Sequence, residues 1–191
     1  PTAQKLSHAL DAIGAEYNAN TGKEHTQYYI KAAKQHLKFI FSILSDMLQH
    51  PIFAAEEIER EKGVIIEEIN MYEDTPMRKV EDVLEEVMWP KHPLGRNIAG
   101  TREVISKITR QDILDYVATY YRPQNLIIAV VGAFDERLFN RMAGATWAKL
   151  PSGKIPMWQK ARDGQKRAAV KVEGKKTEQY HLALGFRGYN H

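Results

Sequence analysis

Cysteine is absent from the 191 residues. That excludes disulfide stapling, a thiolate nucleophile and any cysteine-ligated zinc or iron–sulfur site, so metal chemistry in this chain falls to His, Asp and Glu. Also missing is any run near the roughly 18 continuous apolar residues of a membrane-spanning helix. The reading is a soluble protein with no membrane partner. Charge of one sign is scarce as well: 27 basic residues face 24 acidic ones, for a net +3, which makes a poor case for nucleic acid as a partner. The histidines stand at 8, 25, 36, 50, 92, 181 and 191, and no two are four apart. Neither H-x-x-E-H nor H-E-x-x-H therefore occurs. No basic leader with an apolar core is legible, and a chain opening at Pro1 in mid-pattern reads as processed or truncated. The sequence names no compartment; the cytoplasm is the favoured expectation.

A chain of this length can bury one full core. Thr2 is placed to cap a short helix in which Leu6, Leu10 and Ile13 share a face, with Gly14 as its stop. Tyr17 to Thr21 and Thr26 to Ala32, with Gly22 in the turn between, read as a β-hairpin. Helical spacing follows over 34–49, 55–72 and 76–88, and WPKHPLGRNIAG (89–100) reads as loop. Thr109 is placed to cap a further helix, NLIIAVVGAF (125–134) fits a buried strand, and 135–149 is helical. PSGKIPMWQKARDGQK (151–166) reads as a linker, and the strand-like runs AAVKVEG and QYHLALGF follow it. Strands and helices in separate groups indicate an α+β fold, with helices on an antiparallel or mixed sheet.

The stretch EREKGVIIEEIN (59–70) carries the chemistry. A helix turns about 100° per residue. With Ile58 at zero, Ile65, Ile69 and Tyr72 fall within roughly 40° and mark the buried face. Glu61 and Glu68 fall at roughly −60° and −80°, nearly eclipsed and beside that face, whereas Glu67 lies on the far side. Glu68 is thereby expected to point at a neighbouring element and Glu67 away from it. Read from spacing alone, Glu61 and Glu68 are boundary acids that pair with Arg60, Lys62 or water.

R-E-x-x-V-I-x-x-E and the acids after it resemble the helix that supplies the third zinc ligand in the pitrilysin/insulinase family of metallopeptidases, which includes the mitochondrial processing peptidase. PTAQKLSHALDAIGAEYNANTGKEHTQYY resembles that family's helix and N-A-x-T strand, and WPKHPLGRNIAGTREVISKIT its H-P-x-G loop. YYRPQNLIIAVVGAFD resembles its central strand and YHLALGFRGYN the opening of the next domain. The resemblance spans nearly the whole chain. It implies helices packed on a mostly antiparallel sheet, as in a metallopeptidase domain of the processing-peptidase type, followed by the start of a second similar domain. The implied division is a first domain over 1–150, a linker over 151–166 and the start of the second domain over 167–191.

The resemblance also implies a zinc endopeptidase that cuts peptides or unfolded polypeptides in a chamber closed by a homologous second half or a dimer partner. Glu68 would be the third zinc ligand and Glu61 the acid behind it that orients the site. Asn18, Ala19 and Asn20 match the strand whose edge pairs with substrate. In the family H-x-x-E-H ends roughly seventy-five residues before the ligand Glu, upstream of Pro1. The zinc site is then expected to be incomplete in this chain and the chain by itself inactive.

A non-catalytic, peptide-binding subunit of the same family is the alternative reading. A basic module built on Lys160, Arg162, Lys166, Arg167, Lys171, Lys175 and Lys176 is a further one, though no aromatics are interleaved to stack on bases. His92 with Arg96 in the Pro/Gly loop is a candidate substrate contact, or a plain surface pair.

Overall fold

A computed structural model describes residues 3–148, 150–161, 164–176 and 178–188. Thr2, the far helix end at Lys149, and Arg162 lie outside the described residues. In chain order the elements are α1 (Ala3–Asp11), β1 (Glu16–Thr21), β2 (Thr26–Lys31), α2 (Leu37–Gln49), α3 (Ala55–Glu73), α4 (Pro76–Met88), α5 (Arg102–Lys107), α6 (Arg110–Tyr120) and α7 (Glu136–Trp147). Short 3-10 turns occupy Lys34–His36, Pro93–Gly95 and Pro123–Asn125. The class is α+β: a helix-rich chain with a small antiparallel sheet of two strands. No helix among the described residues is long and apolar enough to cross a membrane. The chain forms two compact units, Pro1–Phe53 with Arg110–Pro156 and Ala54–Thr109 with Met157–His191.

In the first unit, α1 buries Leu10, and the chain leaves the helix through Gly14 at φ +64°, a left-handed turn that a side chain resists. The hairpin pairs Glu16 with Lys31 through to Thr21 with Thr26. Phe41 on α2 and Phe139 and Trp147 on α7 form the core, joined by Leu37, Leu48, Leu126, Val130 and Phe134 among others. Phe139 meets Phe41 edge-on at 5.6 Å and Phe134 at 5.8 Å, the geometry that sets a positive ring edge on a negative face.

The expected buried strand over 125–134 is corrected. Leu126, Val130 and Phe134 pack on the core, but Ile127 is 94% exposed and Val131 98%, and the segment joins no ladder among the described residues. A run of β-branched residues sets an extended backbone; a strand also needs a neighbour to accept its hydrogen bonds, and β1 and β2 pair with each other. The strands expected in AAVKVEG and QYHLALGF are corrected for the same reason. Val170, Val172, Leu182 and Phe186 are exposed, and no ladder includes them among the described residues.

In the second unit, α3 buries Ile58 and Ile69, and Pro76 opens α4 at a position that needs no N–H donor. α5, which hydrophobic periodicity did not reveal, starts where the Thr101 hydroxyl accepts from the Val104 N–H, and it buries Ile105. Two cations of the basic stretch, Lys171 and Lys175, are engaged within this unit. Lys175 Nζ donates to the Glu73 carbonyl at 3.0 Å and to Asp74 at 2.6 Å, where α3 ends. Lys171 pairs with Glu86 at 2.6 Å, and Arg187 donates to the Met88 carbonyl at 2.9 Å at the end of α4. Cations at helix C-termini satisfy orphan carbonyls and meet the negative end of the dipole.

Candidate functional site

Helix α3 carries two cations, and both turn toward its N-terminal acids. Arg60 forks onto Glu57 at 2.8 and 3.0 Å, and Lys62 meets Glu59 at 2.7 Å. The partners expected for Glu61 and Glu68 in a salt-bridged face are thereby engaged elsewhere. Glu61 and Glu67 are exposed and make no ion pair among the described residues. Glu68 is exposed too, and its Oε1 accepts a hydrogen bond from the Tyr72 hydroxyl at 3.0 Å. Its partner is one turn on in its own helix, on the half-buried edge that Tyr72 shares with Ile69. The carboxylate holds the Tyr72 proton, first through that hydrogen bond and then through its charge, and raises the phenol above its ordinary value.

Acids at the C-terminal end of α3 are used differently. Glu73 is ion-paired to Arg102, which also donates to Asn70 at 2.8 Å, and Asp74 is ion-paired to Lys175. Their charges are answered by cations, whereas that of Glu68 is met by a neutral donor. Such a carboxylate suits a metal ion: it keeps its negative charge, and its Oε2 has no protein partner among the described residues. No three His, Asp or Glu side chains converge to hold a metal among the described residues. Beside Tyr72, a groove of about 260 Å³ runs between Ile69, Lys79, Asp82, Asn97 and Arg102.

His92 is occupied locally. Its Nδ1 accepts from the Leu94 N–H at 3.2 Å and its Nε2 faces the Gln159 carbonyl at 3.0 Å, which sets the proton on Nε2. The ring thereby clamps the Pro93–Gly95 turn, where a Cβ on Gly95 would run into the Trp89 carbonyl.

Strand β1 belongs to the other compact unit, where it pairs with β2. All six of its residues are exposed. The Gly22 N–H donates to the His25 carbonyl at 2.8 Å, and alternation along the register from that pair puts Asn20 and Asn18 at hydrogen-bonded positions with β2. Ala19, between them, aims its backbone groups at the outer edge. The Asn18 side chain covers that edge, with Oδ1 accepting from the Ala19 N–H at 2.8 Å. Sequence reasoning treated Asn18, Ala19 and Asn20 alike; the register separates a backbone edge at Ala19 from two flanking side chains.

Residues 1–102 match the family model for insulinase, peptidase family M16, and residues 107–191 match the model for the M16 inactive domain. The chain belongs to the insulinase (M16) peptidase family. Among curated relatives, an uncharacterized zinc protease of Bacillus subtilis, YmxG, is 33% identical over 98% of this chain and 45% of its own length. One from Streptomyces coelicolor, SCO5738, is 35% identical over 98% of this chain and 42% of its own. The chain thus spans under half the length of these relatives. A solved M16-like peptidase from Alicyclobacillus acidocaldarius shares the fold with a TM-score of 0.72 at 30% identity, over 82% of this chain and 37% of that one. The M16 inactive domain from Pseudomonas fluorescens gives 0.77 at 18% identity, over 85% of this chain and 40% of its own. At that identity the likeness concerns fold alone.

Proposed function

We propose that this M16 chain is part of a zinc-dependent metalloendopeptidase that hydrolyses peptides or unfolded polypeptides inside an enclosed chamber, with Glu68 as a zinc ligand and Glu61 orienting the site from two turns earlier. The observation that carries this reading is the charge arrangement of α3: Arg60 and Lys62 are drawn back to Glu57 and Glu59, and Glu68 keeps an unpaired charge and a free oxygen. Zinc held there would lower the pKa of its bound water to about 7 and polarise a scissile carbonyl. This chain's residues supply one ligand and its orientation, and at β1 an edge on which a peptide backbone pairs through Ala19. Asn18 and Asn20 flank that edge.

A single carboxylate does not hold zinc tightly, so the chain alone is inactive and the other ligands come from an H-x-x-E-H segment of the full-length protein. The division into a first domain over 1–150, a linker over 151–166 and the start of a second domain over 167–191 belongs to the same proposal, with a homologous half closing the chamber. The experiment is metal analysis of the full-length protein. Zinc near one equivalent in the wild type, lost together with peptidase activity in Glu68→Gln, supports the assignment. Wild-type zinc content in Glu68→Gln defeats it.

A further inference from the structure

We propose that Tyr72 is a positioning residue for the metal, holding Glu68 in a one-oxygen binding mode. The inference rests on Glu68 being a zinc ligand. Residues four apart on a helix lie one above the other, and here the Tyr72 hydroxyl donates to Glu68 Oε1 at 3.0 Å. Glu68 is exposed, so without that bond its side chain is free to sample several rotamers and to offer both oxygens. The half-buried Tyr72 ring, which flanks the groove beside Ile69, is the more constrained partner and sets the position of the carboxylate.

The choice of donor matters as much as its placement. Arg60, Lys62, Arg102 and Lys175 each neutralise an acid on or just beyond α3, and any of them on Glu68 would cancel the charge a divalent cation needs. A phenol fixes one oxygen and leaves the charge in place. With Oε1 engaged, Oε2 is the atom left to bind, which favours one-oxygen ligation over a bidentate clasp.

The test uses the full-length protein with zinc, and with cobalt as a visible reporter. Tyr72→Phe keeps the ring and removes the donor, so the metal-free protein should melt as the wild type does. Its zinc dissociation constant, measured by chelator competition, should rise about tenfold, the loss typical when a partner of a metal ligand is removed, and its cobalt absorption band should change. Tyr72→Gln discards the ring but offers an amide donor four residues after Glu68, and it should recover part of the affinity. A role in packing alone gives the opposite order. Affinity in Tyr72→Phe equal to or better than in Tyr72→Gln, or a wild-type cobalt spectrum in Tyr72→Phe, overturns the inference. Glu68→Gln separates the two claims. If it loses zinc while Tyr72→Phe binds as wild type, the inference fails and the ligand assignment stands; if it keeps wild-type zinc, or the wild type binds none, both fail.

Discussion

The indole N–H of Trp147 donates to the Ser45 hydroxyl at 3.1 Å, joining α7 to α2 across 102 residues of chain. Both residues are buried, Ser45 at 5% exposure and Trp147 at 9%. A buried polar pair of this kind is costly to break from one side, because the abandoned partner loses its bond without regaining water. Ser45→Ala should lower the unfolding free energy in urea by about 1–3 kcal/mol. A double-mutant cycle with Trp147→Phe should show coupling of about 1 kcal/mol; additive effects would mean the bond contributes nothing.

The second prediction concerns alkaline pH. Burial, and then the 3.1 Å hydrogen bond with Tyr28, raise the Tyr121 phenol well above its ordinary value. The native state therefore favours the neutral phenol more than the unfolded chain does. This contribution to stability is fully present below about pH 10, the ordinary tyrosine pKa, and is lost as pH rises above it. Unfolding free energies should fall between about pH 10 and 11.5, and Tyr121→Phe should flatten that fall. An unchanged slope in Tyr121→Phe would remove Tyr121 as its cause.

The acid side has its own marker. Lys175 first donates a hydrogen bond to Asp74 and also supplies positive charge, and both hold the Asp74 carboxyl below its ordinary value. Any stability this pair contributes is present above the ordinary carboxylate pKa and is lost as pH falls through the native one. Following the Asp74 carboxyl carbon by NMR should give a midpoint below that of an unpaired aspartate, returning toward the ordinary value in Lys175→Gln. The same contact bears on the basic-module reading. Lys171 and Lys175 already answer acids of their own unit, which takes those two cations from a polyanion.

Where the chain's own periodicity sets an element, the sequence was sufficient. The apolar spacing of α2, α3 and α4, with Pro51 and Pro76 as boundaries, gave those helices within a residue or a short 3-10 turn. α5 escaped because six residues with one buried side chain, Ile105, carry no readable period. The run 125–134 departs from its expected strand for a different reason: local composition sets an extended backbone, but whether Ile127 and Val131 are covered depends on a neighbour that composition does not encode. At the site, the wheel placed Glu61 and Glu68 on one edge of α3. It also sets Tyr72 within a helical turn of Glu68 but on the buried face, and the hydroxyl's partner emerges only with side-chain positions.

The edge of β1 yields a prediction about substrate. Ala19 sits at a position whose N–H points away from β2, so proline there removes no ladder bond and only the contact with the Asn18 side chain. If the full-length protein is the proposed peptidase, Ala19→Pro should leave folding intact and raise KM for peptides about five- to tenfold, the equivalent of one hydrogen bond. Asn18→Ala should act in the opposite sense by uncovering that N–H. An unaltered KM in Ala19→Pro would show that substrate does not pair on this edge.

Glu61, Glu67 and Glu68, three of the α3 acids that meet no cation among the described residues, differ in angle and therefore in expected effect. Glu61 stands two turns before Glu68 on the same edge, while Glu67 lies on the opposite side of the helix, and none of the three borrows Arg60 or Lys62. If the edge faces zinc, negative charge at Glu61 favours the cation and orients what binds it without itself being a ligand. Glu61→Gln in the full-length protein should then weaken zinc by about tenfold, far less than Glu68→Gln, and Glu67→Gln should leave affinity at the wild-type value. Removing the same charge from adjacent turns controls for net charge and helix propensity, so the order Glu68, Glu61, Glu67 tests orientation alone. Equal losses at Glu61 and Glu67 would reduce the effect to bulk electrostatics and detach Glu61 from the site.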